Sequence, residues 1–257
     1  MNYEGFKVQV LSLTGIDLNC YKENQMKRRI DALIKKNGCD GYNSYVQLIK
    51  KDCKALEDFV AYLTINVTEF FRNPSQWDIL EKNIIPLLMQ KKSTIKIWSA
   101  ACSTGDEPYS LAMTLASLMP LTSFQITATD IDKEVLEKAK VGIYTERNLV
   151  NIPAKFKDKY MMKQDDHYVV KQELKQRITF KQHNLLKDPY PSGMDLIVCR
   201  NVLIYFTEEA KKDIYMNFNK ALVDEGILFV GSTEQIIMCQ DYGFEPNKIF
   251  FYQKKKK

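Results

Sequence analysis

The sequence predicts an α/β fold: an open, mainly parallel sheet with helices on both faces, preceded by an all-helical N-terminal region. Three observations carry this. Up to about residue 65 apolar residues recur at helical spacing, with no strand pattern. After residue 90 short apolar, β-rich runs alternate with helical stretches. Several of those runs end on polar residues, where a parallel sheet presents its ligand site.

In "YKENQMKRRIDALIKKNG", Met26, Ile30, Leu33 and Ile34 share one helical face, and Gly38 is a natural C-terminal cap. Residues 22–36 hold six basic and two acidic residues. Arg28 and Lys35 point away from the apolar face, and Arg29 and Lys36 flank it. The face is either simply solvated or attractive to an acidic partner. Helices near 43–51 and 54–65 follow. In "TINVTEFFRNPSQWDIL" β-branched residues, an Asn and the Asn73-Pro74 pair interrupt helix, so 66–80 is expected to be a linker that enters a new helix. Strands are expected at 95–99, 124–129, 178–183, 195–199, 227–231 and 248–252, with helices at 108–118, 132–140 and 207–222. Residues 144–177 break this alternation. They are polar and charged, with a short strand at 168–172, and read as an inserted subdomain or antiparallel flap. The expected domains are therefore 1–65 (helical), 66–80 (linker) and 81–257 (sheet, with the insertion at about 144–177).

The bulk properties exclude several function classes. Hydrophobic residues make up 45% of the chain, ample for a core. A net charge of +5 is weak for nucleic-acid binding, and the run Lys254 to Lys257 reads as a solvated terminus. No apolar run approaches the roughly 18 residues of a membrane span. The start has no basic stretch ahead of an apolar one. A cytoplasmic chain without membrane insertion is expected. Six cysteines form no CxxC pair and only His167 and His183 are present, so reduced thiols and no metal are expected.

The strand ends carry the chemistry. The turn "SAACSTG" holds one glycine, Gly105, followed by Asp106 and Glu107 at the helix mouth. A dinucleotide loop has three glycines, and a diphosphate is poorly served by acids there. Asp106 is read as a cap and Glu107 as facing a ligand. Asp130 ends the second strand, where a carboxylate accepts from both hydroxyls of a ribose; Asp132 is the better helix cap. His183-Asn184-Leu185 follows the third strand, where the Asn184 amide suits a base edge. Arg200-Asn201-Val202 leaves the apolar fourth strand. These ends describe a pocket for an adenosine without a diphosphate and with a cationic other half. S-adenosyl-L-methionine, with its sulfonium and ammonium, meets both demands. The acceptor signature of DNA amino-group methyltransferases is missing: "DPYP" at 188–191 lies before the fourth strand and reads as a turn.

The stretches "TINVTEFFRN", "IWSAACSTGDEPYSLAM", "ATDIDKEVLEKAKVGIY", "HNLL", "DLIVCRNVLIYF" and "LFVGSTEQ" together resemble the chemotaxis receptor glutamate methyltransferases of the CheR type, in family order and over nearly the whole chain. The resemblance implies a Rossmann-like S-adenosylmethionine-dependent methyltransferase sheet with an N-terminal all-helical domain and a small inserted β-subdomain. It implies cofactor contacts at Asn66, Thr68, Arg72, Glu107, Asp130, Asn184, Leu185, Asn201 and Val202. Asp106, a shorter acid of equal charge, stands where the family more usually has Glu. The implied partners are methyl-accepting chemotaxis receptors, with no nucleic acid and a monomeric state. In some members the β-subdomain holds a receptor's C-terminal peptide; residues 144–177 do not decide this.

The implied reaction moves a methyl group to a glutamate carboxylate, leaving a methyl ester and S-adenosyl-L-homocysteine. A carboxylate with a reference pKa near 4.3 is already ionised at neutral pH and needs no general base. Arg72 is expected beside a carboxylate, the cofactor's or the substrate's. Tyr205 either orients the acceptor through its hydroxyl or packs. Arg72 and Tyr205 are thus the catalytic candidates. Two readings stay open beside this one: a methyltransferase acting on RNA, and a module that senses S-adenosylmethionine without turnover. A nicotinamide dehydrogenase lacks its three-glycine loop.

Overall fold

A computed structural model describes residues 1–256. The chain forms two compact units, one from Met1–Asn66 with Tyr205–Asp213, the other from Val67–Ile204 and the residues from Ile214 on.

The first unit is helical. Helix α1 (Tyr3–Thr14) starts where Asn2 accepts from the Gly5 amide and ends at Gly15, whose φ of 73° suits glycine. Helix α2 (Glu23–Lys36) buries Met26, Ile30, Leu33 and Ile34, the face its periodicity predicts. Helices α3 (Tyr42–Lys51) and α4 (Cys53–Thr64) follow, with Asp52 capping α4 through Lys54 and Ala55 amides. Arg29 donates to the Tyr62 carbonyl and lies over the Tyr62 ring at 4.6 Å, so this cation fastens α2 to α4. Residues 205–213 join the unit where Tyr21 bridges to Phe206 and the Lys22 amide donates to the Tyr205 carbonyl at 2.9 Å.

The second unit opens with α5 (Pro74–Ile79), which runs through a π turn at Leu80–Ile84 into α6 (Ile85–Met89). Then come β1 (Ile95–Ala100), α7 (Asp106–Leu118), β2 (Phe124–Asp130) and α8 (Lys133–Val141). The chain continues through β3 (Ile143–Thr145), α9 (Ala154–Tyr160), β4 (Met161–Gln164), β5 (His167–Val170) and α10 (Gln172–Lys175). It closes with β6 (Ile178–Gln182), β7 (Met194–Cys199), α11 (Glu208–Ala221), β8 (Leu222–Val230), β9 (Phe244–Lys248) and β10 (Phe251–Lys254). The seven-stranded sheet has the order β6-β2-β1-β7-β8-β10-β9. Its first five strands are parallel; β10 and β9 add an antiparallel edge. Every residue of β7 is buried, as expected for a central parallel strand covered on both faces.

Three expectations need correction, and one gains definite bounds. The strand expected at 248–252 is a hairpin, β9 and β10, that turns at Ile249–Phe250 with Phe250 at φ 69°; no glycine marks the turn. The strand expected at 227–231 starts earlier, at Leu222, with a register shift against β7. The short strand expected at 168–172 is β5, the middle of an antiparallel β3-β5-β4 sheet. The stretch expected as a linker packs into the second unit: Phe70, Phe71 and Trp77 are buried in its core, and the Phe71 amide donates to Ser110 Oγ at 3.0 Å. Three aromatics carry too much apolar surface to be left in water.

Candidate active site

The chain leaves β1 toward β2 on one side and returns through β7 on the other, so the strand order reverses at β1. Ligands of open α/β sheets sit beyond the carboxyl ends of the strands at such a switch point. The backbone there is unusual. Ala101 (φ 65°) and Ser103 (φ 48°) after β1, Asn201 (φ 61°) after β7, and Phe71 (φ 50°) and Asn73 (φ 60°) before α5 all occupy the left-handed region. Such residues cost on the order of 1 kcal/mol each and concentrate at functional sites.

The β1 turn is gripped from outside. A Cβ on Gly105 (φ 93°) would lie 2.9 Å from the Ala139 Cβ and 3.1 Å from the Tyr144 hydroxyl, which donates to the Thr104 carbonyl at 2.7 Å. The single glycine is thus demanded by α8 and β3. Gly105→Ala is expected to destabilise the protein by about 2 kcal/mol or more, seen as a lower thermal midpoint; an unchanged midpoint would contradict this packing.

Asp130 is 6% exposed. Its Oδ2 accepts from the Ser103 amide at 2.8 Å and its Oδ1 from the Asp132 amide at 3.0 Å. Burial pushes its carboxyl up to about 6, against the lowering effect of those backbone donors. Asp132 caps α8 through the Glu134 amide. Glu107 is buried; its Oε1 accepts from Ser99 Oγ at 2.8 Å and its Oε2 pairs with Arg200 at 3.5 Å. Burial raises its carboxyl, and Arg200 pulls it back down. Asp106 accepts from Thr104 Oγ1 at 2.6 Å, so it steadies the turn.

The His183 amide donates to the Asp130 carbonyl at 2.9 Å, which brings the end of β6 beside β2. Asn184 Oδ1 accepts from the Leu186 amide at 2.9 Å, so the amide expected to read a base edge gives its oxygen to a local turn. The Leu185 carbonyl accepts from the Tyr190 hydroxyl at 2.7 Å. The Asn201 amide donates to Glu234 Oε2 at 2.5 Å, and Val202 follows it in the same loop. Arg72 is half-buried and donates to the Val67 carbonyl at 3.2 Å; Thr68 lies between them in sequence. Contacts thus link Arg72, Glu107, Asp130, Asn184 and Asn201 through their neighbours within the second unit. Asn66, whose side chain donates to Thr64 Oγ1 at 2.9 Å, and Tyr205, whose carbonyl accepts from Lys22, both belong to the helical unit.

Two charged residues at this lip have partners that the sequence does not advertise, although Arg200 itself stands at a strand end noted above. Glu234 accepts from the amides of Asn201, Leu203, Ile204 and Gly231, so one buried carboxylate holds the whole loop after β7. Arg200 is 7% exposed and reaches two distant segments at once. Its Nη2 donates to the Arg72 carbonyl (2.7 Å), Asn73 Oδ1 (3.2 Å) and Gln76 Oε1 (2.7 Å), and its Nη1 pairs with Glu107. The only advance signal was that polar residues follow an apolar strand.

The lip suits a nucleoside with a cationic tail. Each Asp130 oxygen takes one backbone donor, and a carboxylate has about four acceptor positions, which leaves two for ribose hydroxyls. Ser103 Oγ and Asp106 Oδ1 are buried without a hydrogen-bond partner, as a polar ligand's site requires. Buried acids outnumber buried arginine here, which disfavours a diphosphate and favours positive charge. Burial holds the Cys102 and Cys199 thiols well above their ordinary range, so neither is a ready nucleophile.

Residues 66–249 match the family described as CheR methyltransferase, SAM binding domain, and residues 1–64 match CheR methyltransferase, all-alpha domain. The chain belongs to the CheR methyltransferase family. A chemotaxis protein methyltransferase of Listeria innocua is 42% identical over 241 residues, spanning 93% of this chain and 92% of its own length. One from Borreliella burgdorferi is 36% identical over 236 residues (86% of this chain, 83% of its own), and one from Escherichia coli 34% over 230 residues (86% and 79%). This CheR-family chain is a methyltransferase that uses S-adenosyl-L-methionine, the cofactor the strand ends called for. Among the described residues no helix is long and apolar enough to cross a membrane.

Proposed function

We propose that this protein methylates glutamate side chains of methyl-accepting chemotaxis receptors in the cytoplasm, leaving methyl esters and S-adenosyl-L-homocysteine. The observation that carries the reading is the lip of buried carboxylates at the switch point of a CheR-family sheet. When bound, the cofactor supplies a methyl group already activated on a sulfonium.

The chain's own residues then have five tasks. Asp130 takes the ribose hydroxyls on its remaining lone pairs, and Glu107 takes the ammonium. Arg72 lies beside a carboxylate, to which its planar fork donates in pairs. The backbone at Asn184–Leu185 and Asn201–Val202 shapes the base and donor ends, with Asn66 and Thr68 completing the cofactor set. Tyr205 orients the acceptor. No general base is needed, because the acceptor carboxylate arrives ionised; alignment in a site closed to water then lowers much of the barrier. The basic face of α2, with Lys27 and Arg28 lining a shallow depression beside Asn24 and Asp31, suits attraction to an acidic receptor helix.

The test is methyl-labelled cofactor offered with receptor cytoplasmic fragments or with bulk RNA. Base-labile label on the receptor is expected. Label on RNA alone, or cofactor binding with no methyl released to either, would overturn the reading.

A further inference from the structure

The guanidinium of Arg200 is the most connected side chain at the lip, and nothing in the reaction above uses it. It leaves the end of β7, yet three of its partners, Arg72, Asn73 and Gln76, lie before and within α5, and the fourth, Glu107, opens α7. It also lies over the Phe229 ring at 4.8 Å and the Trp77 ring at 5.8 Å, so aromatic faces fix its plane. Burying an arginine this fully is expensive, and an apolar residue would fill the space at less cost. A lysine has one point of charge and cannot present a planar fork to a carbonyl, an amide oxygen and a carboxylate together.

We propose that Arg200 is a positioning residue for the cofactor site: it clamps the backbone at Arg72–Gln76 against the Glu107 carboxylate, so the two sides of the cofactor's amino-acid end form as one unit. This rests on the proposed placement of the cofactor's ammonium at Glu107, and takes the carboxylate beside Arg72 to be the cofactor's own. The Arg72 carbonyl accepts from both Arg200 and the Trp77 indole at 3.0 Å, so the clamp grips the backbone whose side chain is to be aimed. The left-handed Phe71 and Asn73 on either side show that this segment is held away from its relaxed conformation. Without the fork, that strain opens the segment. Glu107 is then left facing Ser99, with the Glu234 carboxylate and the Cys102 and Cys199 thiols as its other ionisable neighbours.

The bond after Arg72 is itself a trypsin site, which gives a local readout besides affinity. In Arg200→Lys, which keeps the charge beside Glu107, cleavage after Arg72 is expected to rise tenfold or more, while cleavage at the α8 lysines stays at the wild-type rate. Binding of S-adenosyl-L-homocysteine, followed by calorimetry, should weaken at least tenfold. Gln76→Leu removes one acceptor from the same fork and should move both readouts in the same direction by threefold or more, should the lysine variant fail to fold. Wild-type cleavage after Arg72 in the folded variants, whatever their affinity, overturns the proposal. Glu107→Gln separates the two layers. If it leaves affinity unchanged, the placement of the cofactor at Glu107 is wrong; if it weakens affinity while Arg200→Lys leaves cleavage and affinity at wild-type levels, only the clamp is wrong.

Discussion

Asp130→Ala is expected to weaken binding of S-adenosyl-L-methionine at least about tenfold, read by calorimetry. Hydrogen bonds to an ionised group contribute roughly 1.5–3 kcal/mol each, and two ribose hydroxyls are at stake, so tenfold is the lower bound. The same carboxyl gives the binding a pH dependence. Its value in the folded protein is about 6, against an ordinary 3.8. Below about 6 the added proton occupies an acceptor position, and affinity should fall as the solution is acidified. The stability effect has the opposite sense. A folded value above the unfolded one means that the folded state holds the proton more tightly. The contribution to stability is complete below 3.8 and lost as pH rises through about 6. The rise from 3.8 to about 6 corresponds to about 3 kcal/mol. The free protein therefore keeps a buried charge at neutral pH at a cost in stability, as sites built for ligands often do. Equal affinity at pH 5 and pH 8, after allowing for the ligand's own ionisation, would contradict this account of Asp130.

The second large effect is expected at Glu234. Its two oxygens serve four backbone amides of the β8 end and the loop after β7. Glu234→Ala leaves those donors without the partner that now satisfies them. Unsatisfied buried donors cost roughly 1–3 kcal/mol each; even if water reaches most of them, a loss of about 3 kcal/mol remains. For a domain of this size that is a fall of roughly 6–12 °C in the thermal midpoint. Glu234→Gln retains one oxygen and should fall between the two. Cofactor affinity should drop as well, because Asn201 and Val202 ride on this loop. A midpoint within about 2 °C of wild type would show that the loop is held by other means.

The residues most readable in advance were those that follow strands. Asp130 and Glu107 stand out because a parallel sheet places its ligand beyond strand ends: Asp130 is the last residue of β2, and Glu107 lies in the first turn of α7, after the turn that follows β1. The α2 face was readable for the same local reason, a repeat visible within one stretch. Arg200 was not, because its partners lie 93 to 128 residues away, and no local pattern reports such a contact. Glu234 serves amides rather than side chains, so no complementary residue type advertised it. The β9–β10 turn was hidden because Phe250, not a glycine, adopts the left-handed conformation. The buried stretch at 67–80 was misjudged because its broken helix signal read as a connector, although Phe70, Phe71 and Trp77 already carried the apolar surface of a core segment.

The most direct measurement is a crystal structure with S-adenosyl-L-homocysteine. The ribose hydroxyls should rest on the Asp130 carboxylate, with the amino group at Glu107 and the Arg72–Gln76 segment clamped by Arg200. A nucleoside lodged elsewhere, with Asp130 and Glu107 untouched, would contradict the account at its root.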